Sequence, residues 1–304
     1  MSENTVGLHR KIKTAGELQS VVRTMKALAS SSIGQYENSV QALADYYRTV
    51  ELALGASLRE IFYENLQSRE NFITNSENEK KNRKASVGAI VFGSDQGLVG
   101  KFNEEIVEFA MKTLSELPVR PLVWAVGERV QARLMDAGLN PLKVFAVPNS
   151  VQAIAPLVGQ IQVESEAHRS KDGYSHLLVF HNRPRSGSVY EPAKQRLLPL
   201  DRNWRQDHSK IQWPSKNRPE VLGRDVMVLS ALIREYLYIS LFKACAESLA
   251  SENASRLAAM QRADKNIDDS LKTLEVSFHR LRQSGIDEEL FDVIAGFQAL
   301  VGTQ

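Results

Sequence analysis

Proline is missing from both ends of this 304-residue chain: all ten prolines lie between Pro118 and Pro219. Glycine is nearly as scarce there. Residues 224–284 form a run of 61 with neither, and only Gly34 interrupts residues 17–54. Proline removes a helix hydrogen-bond donor and clashes with the preceding turn, and glycine costs about 1 kcal/mol against alanine. With both absent, long helices are permitted at each end. A 61-residue helix runs roughly 90 Å at 1.5 Å per residue. That is longer than one small domain can cover, so such helices reach towards something else.

Other absences exclude whole classes. A single cysteine, Cys245, rules out an internal disulfide, and its helical setting reads as a small buried apolar residue. No run approaches 18 apolar residues, so no segment is expected to span a bilayer. The opening MSENTVGLHRK has no apolar stretch of the signal-peptide kind and does not read as a transit peptide. The six histidines are scattered, with no i,i+4 pair and no cysteine cluster beside them, so neither a structural nor a catalytic metal is expected. There is no G-x-S-x-G elbow, and Glu288 and Glu289, being adjacent, point to different faces of a helix. The sequence offers no catalytic constellation and calls for no cofactor. Net charge is +2, too small for a strong field towards nucleic acid. Local charge is less even: residues 1–30 carry Arg10, Lys11, Lys13, Arg23 and Lys26 against Glu3 and Glu17, while the tail from Gly285 carries Asp287, Glu288, Glu289 and Asp292 with no Lys or Arg.

What is present at the N-terminal end is a seam. From Leu8 through Ile12, Ala15, Leu18, Val22, Met25, Ala29, Ile33 and Tyr36, and on through Val50 and Leu54 to Ile61, apolar residues step by threes and fours. Held over about seven heptads, this is the period of a coiled coil; a helical bundle packing its own core is the plainer alternative. Residues 64–85 are polar and read as a solvated linker. The middle alternates short apolar runs with helical stretches: SVGAIVF (86–92), PLVWAV (121–126), KVFAV (143–147), HLLVFH (176–181) and SVYEPAKQRLLPL (188–200) read as strands, separated by helices near 104–117, 128–137 and 151–167. Such alternation predicts a three-layer, Rossmann-like α/β domain over 86–202 with a mostly parallel sheet. A connector over 203–219 leads to a second long helix over 220–304, where Ile267, Leu271, Leu274, Phe278 and Leu281 step alternately by four and three. The Ala- and Ser-rich stretch before them suits a thin seam with wet outer faces. The expected fold is thus an antiparallel coiled coil of the terminal helices, the first over 1–63, carrying a central α/β domain.

GSDQGLVGKFN (93–103) follows a predicted strand and opens a helix, the place where phosphate loops sit. It is not a G-x-x-x-x-G-K-[ST] loop, because Phe102 stands where a hydroxyl belongs, and its glycine spacing is not G-x-G-x-x-G. The competing reading is a structural strand-to-helix turn in which Gly97 and Gly100 supply unusual backbone angles. From the residues alone, a nucleotide- or metabolite-binding α/β protein with helical arms and a coiled-coil scaffold both stay open. Glu252 and Arg256 form an i,i+4 pair that on an exposed helix is worth a few tenths of a kcal/mol.

Four segments, in order, resemble the γ subunit of F-type ATP synthases, the central rotor shaft. KIKTAGELQSVVRTMKALASS resembles the family's first helix, with Met25 at its methionine. GSDQGLVGKFN is similar to S-D-R-G-L-C-G-x-x-N, ESLASENASRLAAM to E-x-x-A-S-E-x-x-x-R-x-x-A-M, and RQSGIDEELFDVIAG to R-Q-x-x-I-T-x-E-L-x-E-I-V-x-G. The chain departs from these patterns at Gln96, Val99, Lys101, Ser32, Asp287 and Phe297, which points to a divergent or alternate bacterial branch.

The resemblance implies a rotor subunit that couples ion-driven rotation of a c-ring to ATP synthesis or hydrolysis on the β subunits. One copy would sit in each hexamer of α and β subunits, with the ε subunit and the c-ring below, peripheral to the cytoplasmic side of a bacterial inner membrane. It would have no catalytic site of its own, no cofactor, no metal and no nucleic-acid partner. By the same resemblance Arg256, Gln283, Glu252, Asp287, Glu289 and Met25 are β-subunit contacts, and Asp95, Gly97, Gly100 and Asn103 shape a structural turn.

Overall fold

The computed structural model describes residues 5–67, 86–117, 119, 121–174, 176–185, 188–200, 204, 207–208, 210–217, 219–220 and 225–301. Helix α1 runs Thr5–Gln67 and the last helix runs Asp225–Val301, the long elements that the proline and glycine pattern permits. Helix α1 continues past residue 63, and residues 68–85 of the expected linker lie outside the described residues. The chain divides into two compact units, residues 30–255 and residues 1–29 with 256–304.

In the larger unit a five-stranded sheet is ordered β3-β2-β1-β4-β5. Strand β1 is Val87–Phe92, β2 Pro121–Val126, β3 Lys143–Phe145, β4 His176–Arg185 and β5 Ser188–Leu198. The first four pair in parallel. Strand β5 returns antiparallel to β4, so the fifth predicted strand is a hairpin arm on an otherwise parallel sheet. Helices α2 (Phe102–Ser115), α3 (Glu128–Asp136) and α4 (Ile154–Asp172) make the crossovers. The final helix is α5.

Strand β1 is buried along its whole length, as a central strand covered on both faces must be. Its side chains alternate between two cores. Val87, Ala89 and Val91 join Ile106, Ala110 and Leu114 of α2 and Val130 and Leu134 of α3. Ile90 and Phe92 join Trp124, Phe145, the α4 residues Ile154, Val158 and Ile161, and the α5 residues Leu241, Cys245 and Leu249. The result is three layers, with α2 and α3 on one face and α4 with part of α5 on the other. Tyr36 of α1 belongs to the second core, and Val50 and Leu54 meet Tyr236 and Ile239 of α5 in a third cluster. His181 at 4% exposure lies with Nε2 2.8 Å from Glu247 Oε2, a polar link from β4 to α5.

In the smaller unit the two helices run antiparallel: His9 meets Phe278, Gln19 meets Asp268, and Lys26 meets Asp264. The apolar seam is present with one correction. Leu18 is 54% exposed, and its neighbour Gln19 takes the half-buried position and bonds across to Asp268. A helix drifts relative to a strict heptad, and a polar residue that finds a partner displaces the apolar one at such a point.

Candidate functional site

Two places hold the residues singled out by sequence. The first is the turn after β1. Gly93 is required there by space, since a Cβ would lie 2.3 Å from Val130 Cβ and 2.7 Å from Asn103 Oδ1. Its amide donates to Val126 O at 2.9 Å, tying the turn to the end of β2. Asn103, in the first turn of α2, reaches back to Ser94: its Oδ1 accepts the Ser94 amide at 3.0 Å and its Nδ2 donates to Ser94 Oγ at 2.8 Å. Ser94 Oγ donates onward to Gln96 O at 2.9 Å. The Asp95 carboxylate accepts two amides, Glu128 N at 2.9 Å and Val147 N at 2.8 Å. One side chain therefore caps the start of α3 and holds the chain that leaves β3.

The positive backbone angles fall differently from expectation. Gly100 has φ +59°, but Gly97 is not in that region; Leu98 is, at φ +65°. A leucine there carries local strain, and the surrounding bonds hold it. Leu98 is also 59% exposed, whereas Val99 beside it is buried. Ser255 of α5 donates its hydroxyl to Val99 O at 2.5 Å, and Asn182 of β4 donates to Phe102 O at 3.0 Å. Tyr190 of β5 packs edge-on against Phe102 at 5.4 Å. Burial, and then its hydrogen bond to Glu105, push the Tyr190 phenol well above its ordinary range.

As an anion site this turn is poorly provided. The amides of Gly93, Ser94 and Phe102 already donate within the protein. Glu104 and Glu105 occupy the first turn of α2, where they take up the favourable end of the helix dipole and repel a phosphate.

The second place is the proposed contact surface on the long helices. Gln283, Asp287 and Glu289 are exposed, and Met25 and Arg256 are half-buried. Among the described residues Asp287 makes no ion pair. Glu252 is buried at 5% exposure and sits in the larger unit. Its setting is therefore a buried one and not the exposed helix face expected for it. Sequence reasoning missed two residues that the geometry makes prominent, Ser255 at the turn and Asp264 between the helices. A hydroxyl beside a buried carbonyl and an acid opposite two cations only acquire meaning once partners distant in sequence are known.

A family model described as ATP synthase matches residues 4–300, nearly the whole chain. The chain belongs to the ATP synthase family. The relatives carry the finer name. An ATP synthase gamma chain from Clostridium botulinum is 25% identical over 303 residues, covering 97% of each chain. One from Dechloromonas aromatica is 22% identical over 296 residues, covering 96% of this chain and 98% of the relative. A chain of the Euglena gracilis mitochondrial ATP synthase rotor has the same fold, with a TM-score of 0.60 at 15% identity over 93% of this chain and 98% of that one. These matches bear out the γ-subunit resemblance, and with it the reading of long terminal helices around an α/β middle.

Proposed function

We propose that this chain is the central shaft of an F-type ATP synthase, turning within a hexamer of α and β subunits and passing rotation of a c-ring to the β subunits. The observation that carries this is the family match from residue 4 to residue 300, which takes in both long helices and the sheet domain together. The smaller unit supports it: Leu28, Val276, Leu290, Phe291 and Val293 are each more than half exposed on its helices. Large apolar side chains left open along a helix pair mark a surface that another protein covers. A sleeve of α and β subunits supplies that cover.

In this reading Arg256, Gln283, Asp287, Glu289 and Met25 meet the β subunits as the shaft turns, and Glu252 supports the helix from within. An asymmetric shaft makes different contacts with each β subunit, and such differential contacts shift conformational equilibria. The turn of Asp95, Gly97, Gly100 and Asn103 is structural, and nucleotide chemistry belongs to the β subunits; the consumed amides and the two first-turn glutamates support this. Among the described residues no helix is long and apolar enough to cross a membrane. In the rotor reading, attachment is peripheral, through the ε subunit and the c-ring, on the cytoplasmic face of a bacterial inner membrane.

The test is reconstitution. Purified chain is mixed with α and β subunits and the complex is sized and assayed. One copy per hexamer, with ATP hydrolysis by the complex and none by the chain alone, is the expected result. Hydrolysis by the isolated chain, or several copies per hexamer, contradicts the proposal.

A further inference from the structure

The helix pair of residues 5–29 and 256–301 has little apolar core. Among its described residues, Leu8, Ala29 and Met260 are the apolar side chains that are buried. Seam residues such as Ile12, Val22, Leu271 and Leu274 stay half-exposed. Apolar contact is non-directional, and a seam that repeats every few residues tolerates sliding by one turn, about 5.4 Å, with similar contacts on arrival. In paired helices, polar and charged groups beside the seam are what distinguish one register from another.

Such groups converge on Asp264. Its Oδ2 lies 2.7 Å from Lys26 Nζ and its Oδ1 3.3 Å from Arg23 Nε. One turn further on, Asp268 accepts a hydrogen bond from Gln19 and lies 3.8 Å from Arg23 Nη2. The Asp264 side chain is only 14% exposed, in contrast to outward pairs such as Lys272 and Asp269 at 77% and 62%. A carboxylate shielded in part by its neighbours loses more when its cations leave than a fully exposed one does. Sliding by a turn one way puts Asp264 in the place Asp268 holds, near Arg23 but away from Lys26, and sliding the other way carries it past the pair, so each wrong register breaks the two-cation clasp. Lys26, and then Arg23, hold the Asp264 carboxyl below the usual carboxylate range, as a carboxylate fixed between cations requires.

We propose that Asp264, clasped by Lys26 and Arg23, locks the register of the two antiparallel helices of this unit. It is a positioning residue: it fixes where along the pair each exposed side chain stands. Gln283, Asp287 and Glu289 are thereby held at a defined height relative to Met25. The consequence for partner contacts rests on the rotor reading; the lock itself does not.

The experiment uses the full chain with spin labels at Leu28→Cys and Val276→Cys, both exposed positions well separated along the helix axis, while the buried Cys245 stays unlabelled. Distances are measured by pulsed electron resonance in four backgrounds: the parent, Asp264→Ala, the near-isosteric Asp264→Asn, and the full charge reversal Arg23→Glu/Lys26→Glu/Asp264→Lys/Asp268→Lys, which includes Asp268 because it also faces Arg23. The parent should give one narrow distribution. Both neutral variants should broaden it or move it by about 5 Å, one helical turn, and the reversal should restore the narrow form. A neutral-variant distribution that superimposes on the parent overturns the proposal, as does a reversal that fails to restore it. Because no partner subunit is present, this result judges the lock alone, whereas single-copy assembly with α and β subunits judges the rotor reading.

Discussion

Asn103 and Ser94 hold each other by two hydrogen bonds, amide to carboxamide oxygen at 3.0 Å and carboxamide nitrogen to hydroxyl at 2.8 Å, in a site closed to solvent. The pair fixes the angle at which α2 leaves β1. Replacing Asn103 by Ala leaves a buried amide and hydroxyl without that partner, a loss of about 1–3 kcal/mol. Asp95→Ala also strips two amides of their acceptor, but the bond to Glu128 is open to water, so its cost should be nearer the lower end of the about 0.5–2 kcal/mol of a lost cap. Denaturant unfolding of both variants checks the order. Equal losses would mean that the Asp95 bonds are as shielded as those of Asn103.

Alkaline unfolding should reveal Tyr174. Its hydroxyl donates to Ser165 O at 2.8 Å, the residue is 3% exposed, and burial pushes its pKa up to about 12. The unfolded chain releases that proton near pH 10. The folded state therefore holds one more proton between those values, and stability, complete below pH 10, falls as pH rises towards 12. Tyr174→Phe should make the decline across this window shallower by one proton, read from unfolding midpoints at stepped pH. A slope equal to the parent's would contradict the assignment.

Cys245 should be inert. It is fully buried in the core of the sheet domain, and burial, then the nearby Glu252 charge, push its thiol far above the ordinary range. A thiolate is the reactive species. Ellman's reagent should modify the chain only after denaturant unfolds it; rapid labelling of folded protein would contradict the described packing.

Much of this architecture could be read in advance because its causes are local. Long helices follow from missing proline and glycine, and alternating apolar runs from the two-sided burial of strands such as β1. Partner-dependent features could not. Leu18 continues the apolar period but is exposed, because Gln19 finds Asp268 on the other helix. Leu98, with no sequence mark of an unusual backbone, takes the positive φ that Gly97 seemed suited to. Glu252 lies in a stretch that reads as a wet helix face yet is buried. Each depends on residues far away in sequence.

At the proposed contact surface, Arg256→Ala and Gln283→Ala should each lower ATP turnover of the reconstituted complex. Nucleotide binding to isolated β subunits should be unchanged. Removing a charge-assisted contact of the kind proposed for Arg256 costs about 1.5–3 kcal/mol, whereas the neutral Gln283 should cost less. Unaltered turnover in both variants would remove these positions from the contact surface.

The central claim is that the chain rotates, and rotation can be watched. The α and β subunits are fixed to a surface, and a rod is attached to the sheet domain of the assembled chain. On addition of magnesium-ATP, the rod should turn continuously in one direction and stop when ATP is removed. A rod that stays still, or only jitters, on complexes that are hydrolysing ATP would contradict the account.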